Sequence, residues 1–140
     1  MRKSIASVSM VLALLAALLA CRSDKPEDQV RKAFGACVAA VEAGDAAAAA
    51  EPLDATFRGP DGMDKATARF FLMGIFRQEK VGVTVVRNDV TVRGNEAFQE
   101  VDLILTGRSG LIPQDASRRS FGLHWRKAGG HWRIMEIQER

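Results

Sequence analysis

The chain has 140 residues, with 20 Lys or Arg, 17 Asp or Glu, and a formal net charge of +3. Arg2 and Lys3 lie in an N-terminal segment predicted to be removed, and without them the net charge falls to +1. If that segment is removed, the near-neutral charge that remains argues against a nucleic acid partner despite local arginines, so none is expected. The remaining length suits one domain, predicted over residues 27–140.

Residues 1–20 have the layout of a secretory signal peptide. Arg2 and Lys3 precede an apolar stretch, interrupted by Ser7 and Ser9, that ends on small residues. This stretch is shorter than the roughly 20 apolar residues that a spanning helix needs, and charged residues follow it at once. A permanent transmembrane helix is the alternative interpretation.

The sequence LLAC at residues 18–21 resembles the bacterial lipobox. The resemblance implies that Cys21 carries a diacylglyceryl thioether and a fatty amide, which would hold the protein on a membrane. Residues 21–26 would then form a lipid-anchored tether, with the domain in the cell envelope facing the periplasm. Arg22 stands where inner-membrane lipoproteins commonly have aspartate, so the resemblance favours the outer membrane. An ordinary signal peptide with a disulfide between Cys21 and Cys37 is the alternative.

A helix is predicted from Glu27, with Pro26 suiting its start and Gly44 its end. Asp45 is expected to cap a second, short helix through the alanine run, which Pro52 closes. The first helix has apolar side chains spaced to form one stripe: Val30, Phe34, Cys37, Val38 and Val41.

A third helix is predicted within residues 57–76. Asp61 is expected to be its N-cap, with Asp64 in the first turn, and no neighbouring residues have the spacing of metal ligands. The sequence FFLMGIF, residues 70–76, surrounds the helix with apolar side chains, which predicts burial on all sides. A curved sheet, a second subunit or a cavity holding an apolar ligand would each provide that cover.

After Lys80 the pattern alternates, as in β-strands. Asn88 and Asp89 are expected to form a bulge or bend, and residues 108–116 a loop. Helices followed by strands predict an α+β domain, with three N-terminal helices packed in a curved antiparallel sheet of four to six strands. The predicted strands lie in VGVTVV, NDVTVRG, AFQEVDLILTG, SRRSFGLHWRK and HWRIMEIQE.

Three helices followed by long strands and the hairpin HWRKAGGHWRI resemble the nuclear transport factor 2-like superfamily, which includes ketosteroid isomerases and polyketide cyclases. The resemblance covers about residues 27–140 and implies a cone whose sheet curls around the long helix and leaves a pocket. It places Phe70, Met73, Trp125 and Trp132 on that pocket. The superfamily contains enzymes, binding modules and dimerisation domains, so the fold does not choose among them.

The hairpin divides its residues between two faces. A two- or four-residue connection would set Trp125 opposite Trp132, on the face that also holds Phe121, Leu123 and Ile134. The other face is expected to be basic and solvated, without a carboxylate to orient a histidine, so no zinc or catalytic histidine site is predicted. That face carries His124, Arg126, His131 and Arg133.

Enzymes of this superfamily usually place a carboxylate inside the cone. Asp102 and Glu136 are the candidate catalytic residues, because each lies among apolar neighbours where its pKa would rise. Each fits an outer, solvated strand position equally well. The chain contains no tyrosine, which counts against ketosteroid isomerase chemistry.

Three functions follow from these patterns. The leading hypothesis is a non-catalytic envelope lipoprotein whose cone binds a small apolar ligand or docks a partner chain. The alternatives are a small-molecule enzyme, as an isomerase, cyclase or hydrolase, and a homodimer formed through the outer sheet face with Met135 and Ile137. No cofactor is predicted.

Overall fold

The structure is a computed structural model that describes residues 24–107 and 118–140. The predicted leader, the lipidation site Cys21 and the loop at residues 108–116 lie outside the described residues. In the described part of the chain, no helix has both the length and the hydropathy to cross a membrane.

In chain order the elements are α1 (Pro26–Ala43), α2 (Ala46–Ala50), β1 (Leu53–Arg58), a single 3-10 turn (Pro60–Gly62), α3 (Lys65–Gln78), β2 (Gly82–Arg93), β3 (Glu96–Thr106), β4 (Arg118–Ala128) and β5 (His131–Glu139).

Five strands form one curved, open sheet in the order β1-β5-β4-β3-β2. Strands β2 to β5 are antiparallel neighbours, as the sequence predicted. Strand β1 was not predicted, and it pairs in parallel with β5 at the sheet edge. The predicted α+β class is confirmed, and the sheet is mixed because β1 joins it.

The first two helices form as predicted. Val30 and Phe34 of α1 are buried in the core, and Gly44 ends the helix in the left-handed conformation at φ 70°. Asp45 caps α2, because its carboxylate accepts a hydrogen bond from the Ala48 amide at 3.0 Å.

The N-cap of α3 is Asp64, not Asp61 as predicted. The Asp64 carboxylate accepts a hydrogen bond from the amide of Thr67 at 2.8 Å. Asp61 lies in the preceding 3-10 turn with φ 58°. The Gly-Pro step starts this separate turn, which moves the helix start three residues later.

The prediction that α3 is buried on all sides is wrong. Phe70 and Phe71 are 77% and 54% exposed, and Ala68 is the one α3 residue that counts as buried. The helix packs on α2 and β1, and a cavity separates it from the inner face of the sheet. Because α3 packs on one side only, its opposite side is exposed to solvent.

The bulge in β2 lies between Val85 and Arg87, so the predicted bulge at Asn88 and Asp89 is displaced. Both residues continue the ladder with β3. The Asn88 side chain accepts a hydrogen bond from Gln99 at 2.8 Å, which fits a regular strand position.

Gly129 and Gly130 form the turn of the last hairpin, with φ values of 58° and 78°. Positive φ at both positions is typical of a two-residue hairpin turn, and glycine adopts it at little cost. Trp125 pairs with Ile134, so the predicted pairing of Trp125 with Trp132 is wrong by two residues. An even shift preserves the faces, and both tryptophans are buried in the core as expected.

A β-bulge also interrupts the pairing of β4 with β5. Met135 is an extra residue of β5 opposite the step from His124 to Trp125. This turns Ile137 inward, where it packs against the core. The homodimer hypothesis placed Ile137 with Met135 on the outer face. That placement is wrong for Ile137, because the bulge changes which residues alternate inward.

Candidate functional site

A cavity of about 590 Å³ lies between α1, α3 and the inner face of the sheet. Alternate residues of β3 point into it because successive strand side chains face opposite sides. Its walls are mostly apolar, with Phe34, Val38 and Val41 from α1, Leu72, Ile75 and Phe76 from α3, and Val83, Leu103, Leu105, Phe121, Leu123 and Ile137 from the sheet.

Three charged side chains interrupt this apolar lining: Asp61, Arg119 and Glu139. Arg119 donates a hydrogen bond to Glu139 on the neighbouring strand. Asp61 belongs to the 3-10 turn, which contacts β5, the strand that carries Glu139. The cavity therefore offers both hydrogen-bond donors and acceptors near the end of β5.

Cys37 also lines the cavity. Burial raises the pKa of its thiol to about 11, and the nearby Glu51 carboxylate adds to the effect. The thiol is therefore protonated at neutral pH, which disfavours a nucleophilic or metal-binding role. Cys37 forms no disulfide with any described residue; Cys21, its partner in the alternative disulfide, lies outside the described residues.

None of the four predicted pocket residues lines this cavity. Phe70 is largely exposed and Trp125 is fully buried in the core, so neither has the predicted place on the cavity wall. Met73 is absent from the lining residues, and Trp132 lines a different groove. Phe71 and Leu72, next to Phe70 on α3, line the cavity instead, and on β4 it is lined by Leu123 and Phe121, which share the face of Trp125.

Trp132 contributes to a groove of about 810 Å³ between α1 and the last hairpin, which both polar and apolar residues line. Its indole N–H donates a hydrogen bond to the side-chain oxygen of Gln29 at 3.1 Å. The Lys127 ammonium lies 5.8 Å from the Trp132 ring centroid. The hydrogen bond to Gln29 joins the hairpin to α1. Trp132 therefore has a structural role at this contact, away from the cavity.

Asp102 lies on the outer face of β3, not inside the cone. Its carboxylate accepts hydrogen bonds from the Ser120 hydroxyl at 2.8 Å and from Arg118 at 3.1 Å. These hydrogen bonds, from Ser120 first, hold the pKa of Asp102 below its usual range. The predicted raised pKa is therefore wrong, because charge and hydrogen bonding outweigh desolvation.

Glu136 also points to the outer face, where its cross-strand partner is His124. The Gln138 amide donates a hydrogen bond to its carboxylate. Glu136 is absent from the cavity lining, whereas Ile137 is present. The bulge at Met135 places Glu136 opposite His124, away from the apolar side.

The outer face of the hairpin contains carboxylates, contrary to the prediction. Glu96 lies 3.1 Å from Nε2 of His124 and 3.4 Å from the guanidinium of Arg126. The His124 ring stacks on Phe98, with their centroids 4.8 Å apart. The missed signal was long-range, since Glu96 comes from β3. Within residues 24–107 and 118–140, no group of three or more His, Cys, Asp or Glu side chains is placed to hold a metal ion.

The fold matches many solved structures. It superposes on a nuclear transport factor 2-like protein of unknown function from Pseudomonas putida with TM-score 0.67 and 14% identity, covering 81% of this chain and 84% of that one. A second such protein, from Cytophaga hutchinsonii, gives TM-score 0.68 and 12% identity over 83% and 98% of the two chains. A candidate scytalone dehydratase from Novosphingobium aromaticivorans gives 0.68 and 9%, over 81% of both chains.

These likenesses show that the chain has the nuclear transport factor 2-like fold, which confirms the resemblance seen in the sequence. No protein-family model and no curated protein sequence matches the chain. A shared fold does not specify whether a chain binds a ligand or catalyses a reaction. The choice between them depends on the cavity.

Proposed function

We propose that the domain binds a small, mostly apolar molecule in the cavity between its helices and sheet. The observation that carries this proposal is a cavity of about 590 Å³ with apolar walls. Sites for small molecules typically measure roughly 300–1,000 Å³ and combine apolar walls with a few polar groups. Arg119, Glu139 and Asp61 are the polar groups here.

Burial of apolar surface would supply most of the binding energy. A ligand that buries roughly 300 Å² of apolar surface gains about 7 kcal/mol from the hydrophobic effect before the costs of ordering. The Arg119 guanidinium and the two carboxylates would orient a polar end through hydrogen bonds. A hydrocarbon body with one hydroxyl, amide or comparable polar end fits this arrangement.

Catalysis on a small molecule is the second candidate. Asp61 and Glu139 replace Asp102 and Glu136 as its candidate carboxylates, because both line the cavity. Glu139 forms an ion pair with Arg119, which holds its carboxylate on the cavity wall. A bound ligand recovered unchanged supports binding, whereas a chemically altered one supports this alternative.

The proposed setting is the bacterial cell envelope, with the chain anchored through an acylated Cys21 on the periplasmic side of the outer membrane. Helix α1 begins at Pro26, so only a short tether separates the anchor from the domain. The domain would therefore stay close to the bilayer. Docking of a partner chain and homodimerisation remain hypotheses for the same setting.

Native mass spectrometry of the full chain, purified in detergent, tests the ligand proposal. We expect a small molecule to remain bound, and we expect a Leu103→Trp variant, with the cavity filled, to lose it. Ile104→Trp is the matched control, since Ile104 is the next residue and faces outward. Equal ligand retention by both variants would place the ligand elsewhere and contradict the proposal.

The mass of the N-terminal peptide tests the anchor independently. We expect the peptide to begin at Cys21 and to carry a diacylglyceryl group and an amide-linked acyl chain. A Cys21→Ser variant should lack both modifications. An unmodified Cys21 in the mature protein would refute the anchor and leave the cavity proposal intact.

A further inference from the structure

We infer that the exposed face of α3 docks onto the surface of a lipid bilayer that contains anionic phospholipid. We call this the α3 face and define it by Arg69, Phe70, Phe71 and Arg77. The inference concerns how the domain sits on a membrane, so it does not require that the cavity hold a ligand.

Two aromatic rings stand out from the α3 face. Phe70 and Phe71 are the most exposed of the large apolar side chains in the described part of the chain, at 77% and 54%. Ala66, Gly74 and Arg77 are also exposed and lie on the side of the helix that carries Phe70. Exposed aromatic side chains on such a helix suit insertion into the headgroup and acyl boundary of a bilayer.

The charge of α3 complements an anionic surface. The helix contains Lys65, Arg69 and Arg77 and no acidic residue. Neither Arg69 nor Arg77 forms a salt bridge among the described residues, whereas Lys65 donates hydrogen bonds to the backbone oxygens of Glu51 and Leu53. Two guanidinium groups therefore remain available to lipid phosphates, and each basic residue near an anionic surface adds to membrane attraction.

The acidic residues beside the helix do not cancel this charge on the α3 face. Asp61 and Asp64 precede the helix: Asp61 lies on the cavity wall, and Asp64 is the N-cap, five residues before Arg69. Glu79 follows the helix and is buried. The outer face of the sheet differs, because its arginines pair repeatedly with carboxylates, as Arg87 does with Asp89 and Glu100. Charge complementarity therefore favours the α3 face over the outer sheet face.

The α3 face adjoins the cavity, since Phe71 is both exposed and part of the cavity lining. A domain docked through Phe70 and Phe71 would bring this wall of the cavity against lipid. An apolar molecule could then pass between bilayer and cavity without crossing water, where exposure of apolar surface is unfavourable.

A site-specific fluorescent label tests this orientation. The full chain, in a Cys21→Ser/Cys37→Ala background, would carry the polarity-sensitive nitrobenzoxadiazole dye at Phe70→Cys. The matched control carries it at Phe98→Cys, because Phe98 is 47% exposed on the outer sheet face. The apolar leader of the full chain can itself bind vesicles, so the position of the label, not binding alone, is the readout.

With vesicles of 30% phosphatidylglycerol in phosphatidylcholine, we expect the label at residue 70 to shift to the blue and brighten. The label at residue 98 should not change, and pure phosphatidylcholine should give a weaker response at residue 70. Arg69→Glu/Arg77→Glu should reduce the response at residue 70 at a given lipid concentration, with an apparent affinity loss of at least about tenfold. Arg93→Glu, at an exposed site on another surface, should change it less than about twofold.

An equal response of the two labels to vesicles would overturn the inference, as would an unchanged response after both charge reversals. A shift at residue 70 that appears without vesicles and grows with protein concentration would assign the α3 face to a second copy of the chain and also refute it. Loss of the vesicle response would leave the ligand proposal standing, because ligand retention is measured in detergent.

Discussion

Arg119 of β4 donates a hydrogen bond to Glu139 of β5 on the wall of a mostly apolar cavity. Phe121 is the direct cross-strand partner of Glu139, so the ion pair spans the two strands diagonally. The two charges neutralise each other beside the apolar lining. A ligand with little net charge is therefore the best match to this part of the cavity.

Removing one member of this pair should change which probes the cavity accepts. Glu139→Gln leaves the Arg119 charge uncompensated, so the anionic probe 1-anilinonaphthalene-8-sulfonate should bind about two- to fivefold more tightly, as expected for partly exposed charges. The neutral probe N-phenyl-1-naphthylamine should bind nearly as before. Fluorescence titration of both probes measures the difference.

Glu100→Gln is the matched control for charge, because Glu100 pairs with Arg87 and Arg140 on the other face of the sheet. This variant should leave the ratio of the two probe affinities unchanged. If Glu100→Gln and Glu139→Gln changed the ratio equally, the probes would be responding to overall charge and not to the cavity.

Filling the cavity should abolish probe binding with little change in the rest of the fold. Leu103→Trp places an indole in the cavity, and we expect N-phenyl-1-naphthylamine to bind at least about tenfold more weakly. Because empty space is available beside Leu103, the free energy of unfolding should change by less than about 2 kcal/mol. Ile104→Trp, on the outer face, should bind the probe as the parent does.

The sequence predicted the fold well wherever local patterns decide it. Local signals in the sequence predicted the apolar stripe of α1, its end at Gly44, the Asp45 cap of α2 and the alternating pattern of the strands. The short edge strand β1 was missed because its pairing partner, β5, lies about 80 residues away in the chain.

The candidate site was predicted less well, because a β-bulge decides which strand residues face inward. The extra residue at Met135 turns Ile137 inward and leaves Glu136 outside. The partner of His124 is Glu96, on another strand. The apolar character of residues 70–76 indicated proximity to a cavity but could not show that Phe70 itself is exposed.

The carboxylate of Asp102 should stabilise the fold at neutral pH and lose that effect in acid. Hydrogen bonds from Ser120 and Arg118 keep its pKa below the usual value, which is about 3.9 in an unfolded chain. The stabilisation is therefore present above about pH 4 and is lost as the pH falls through the lowered pKa of the folded state. Asp102→Asn should be less stable than the parent at pH 7, and the two should converge below pH 4.

Urea unfolding between pH 2.5 and pH 7 measures this convergence. Asp89→Asn is the matched control, since Asp89 lies on the same outer face with its side chain 71% exposed. We expect a smaller effect of Asp89→Asn at pH 7. A stability difference between Asp102→Asn and the parent that stayed constant over this pH range would show that the shifted pKa is not its cause.

The buried pair of Gln99 and Trp125 should contribute jointly to stability. The indole N–H of Trp125 donates a hydrogen bond to the Gln99 oxygen at 2.9 Å, and both side chains are almost fully buried. Gln99→Leu leaves that N–H without its acceptor, and a buried polar group left unsatisfied costs about 1–3 kcal/mol. Urea unfolding should show a destabilisation of this size, while Gln138→Leu, at an exposed glutamine, should cost less than about 0.5 kcal/mol.

A double-mutant cycle separates this hydrogen bond from the change in packing. Trp125→Phe removes the donor together with part of the ring, so it should itself be destabilising. In the Trp125→Phe background, Gln99→Leu should cost at least about 1 kcal/mol less than it does alone, because no buried N–H is then left unpaired. Additive losses from the two substitutions would show that Gln99 stabilises the core by packing, or through its second hydrogen bond to Asn88, and not through the indole.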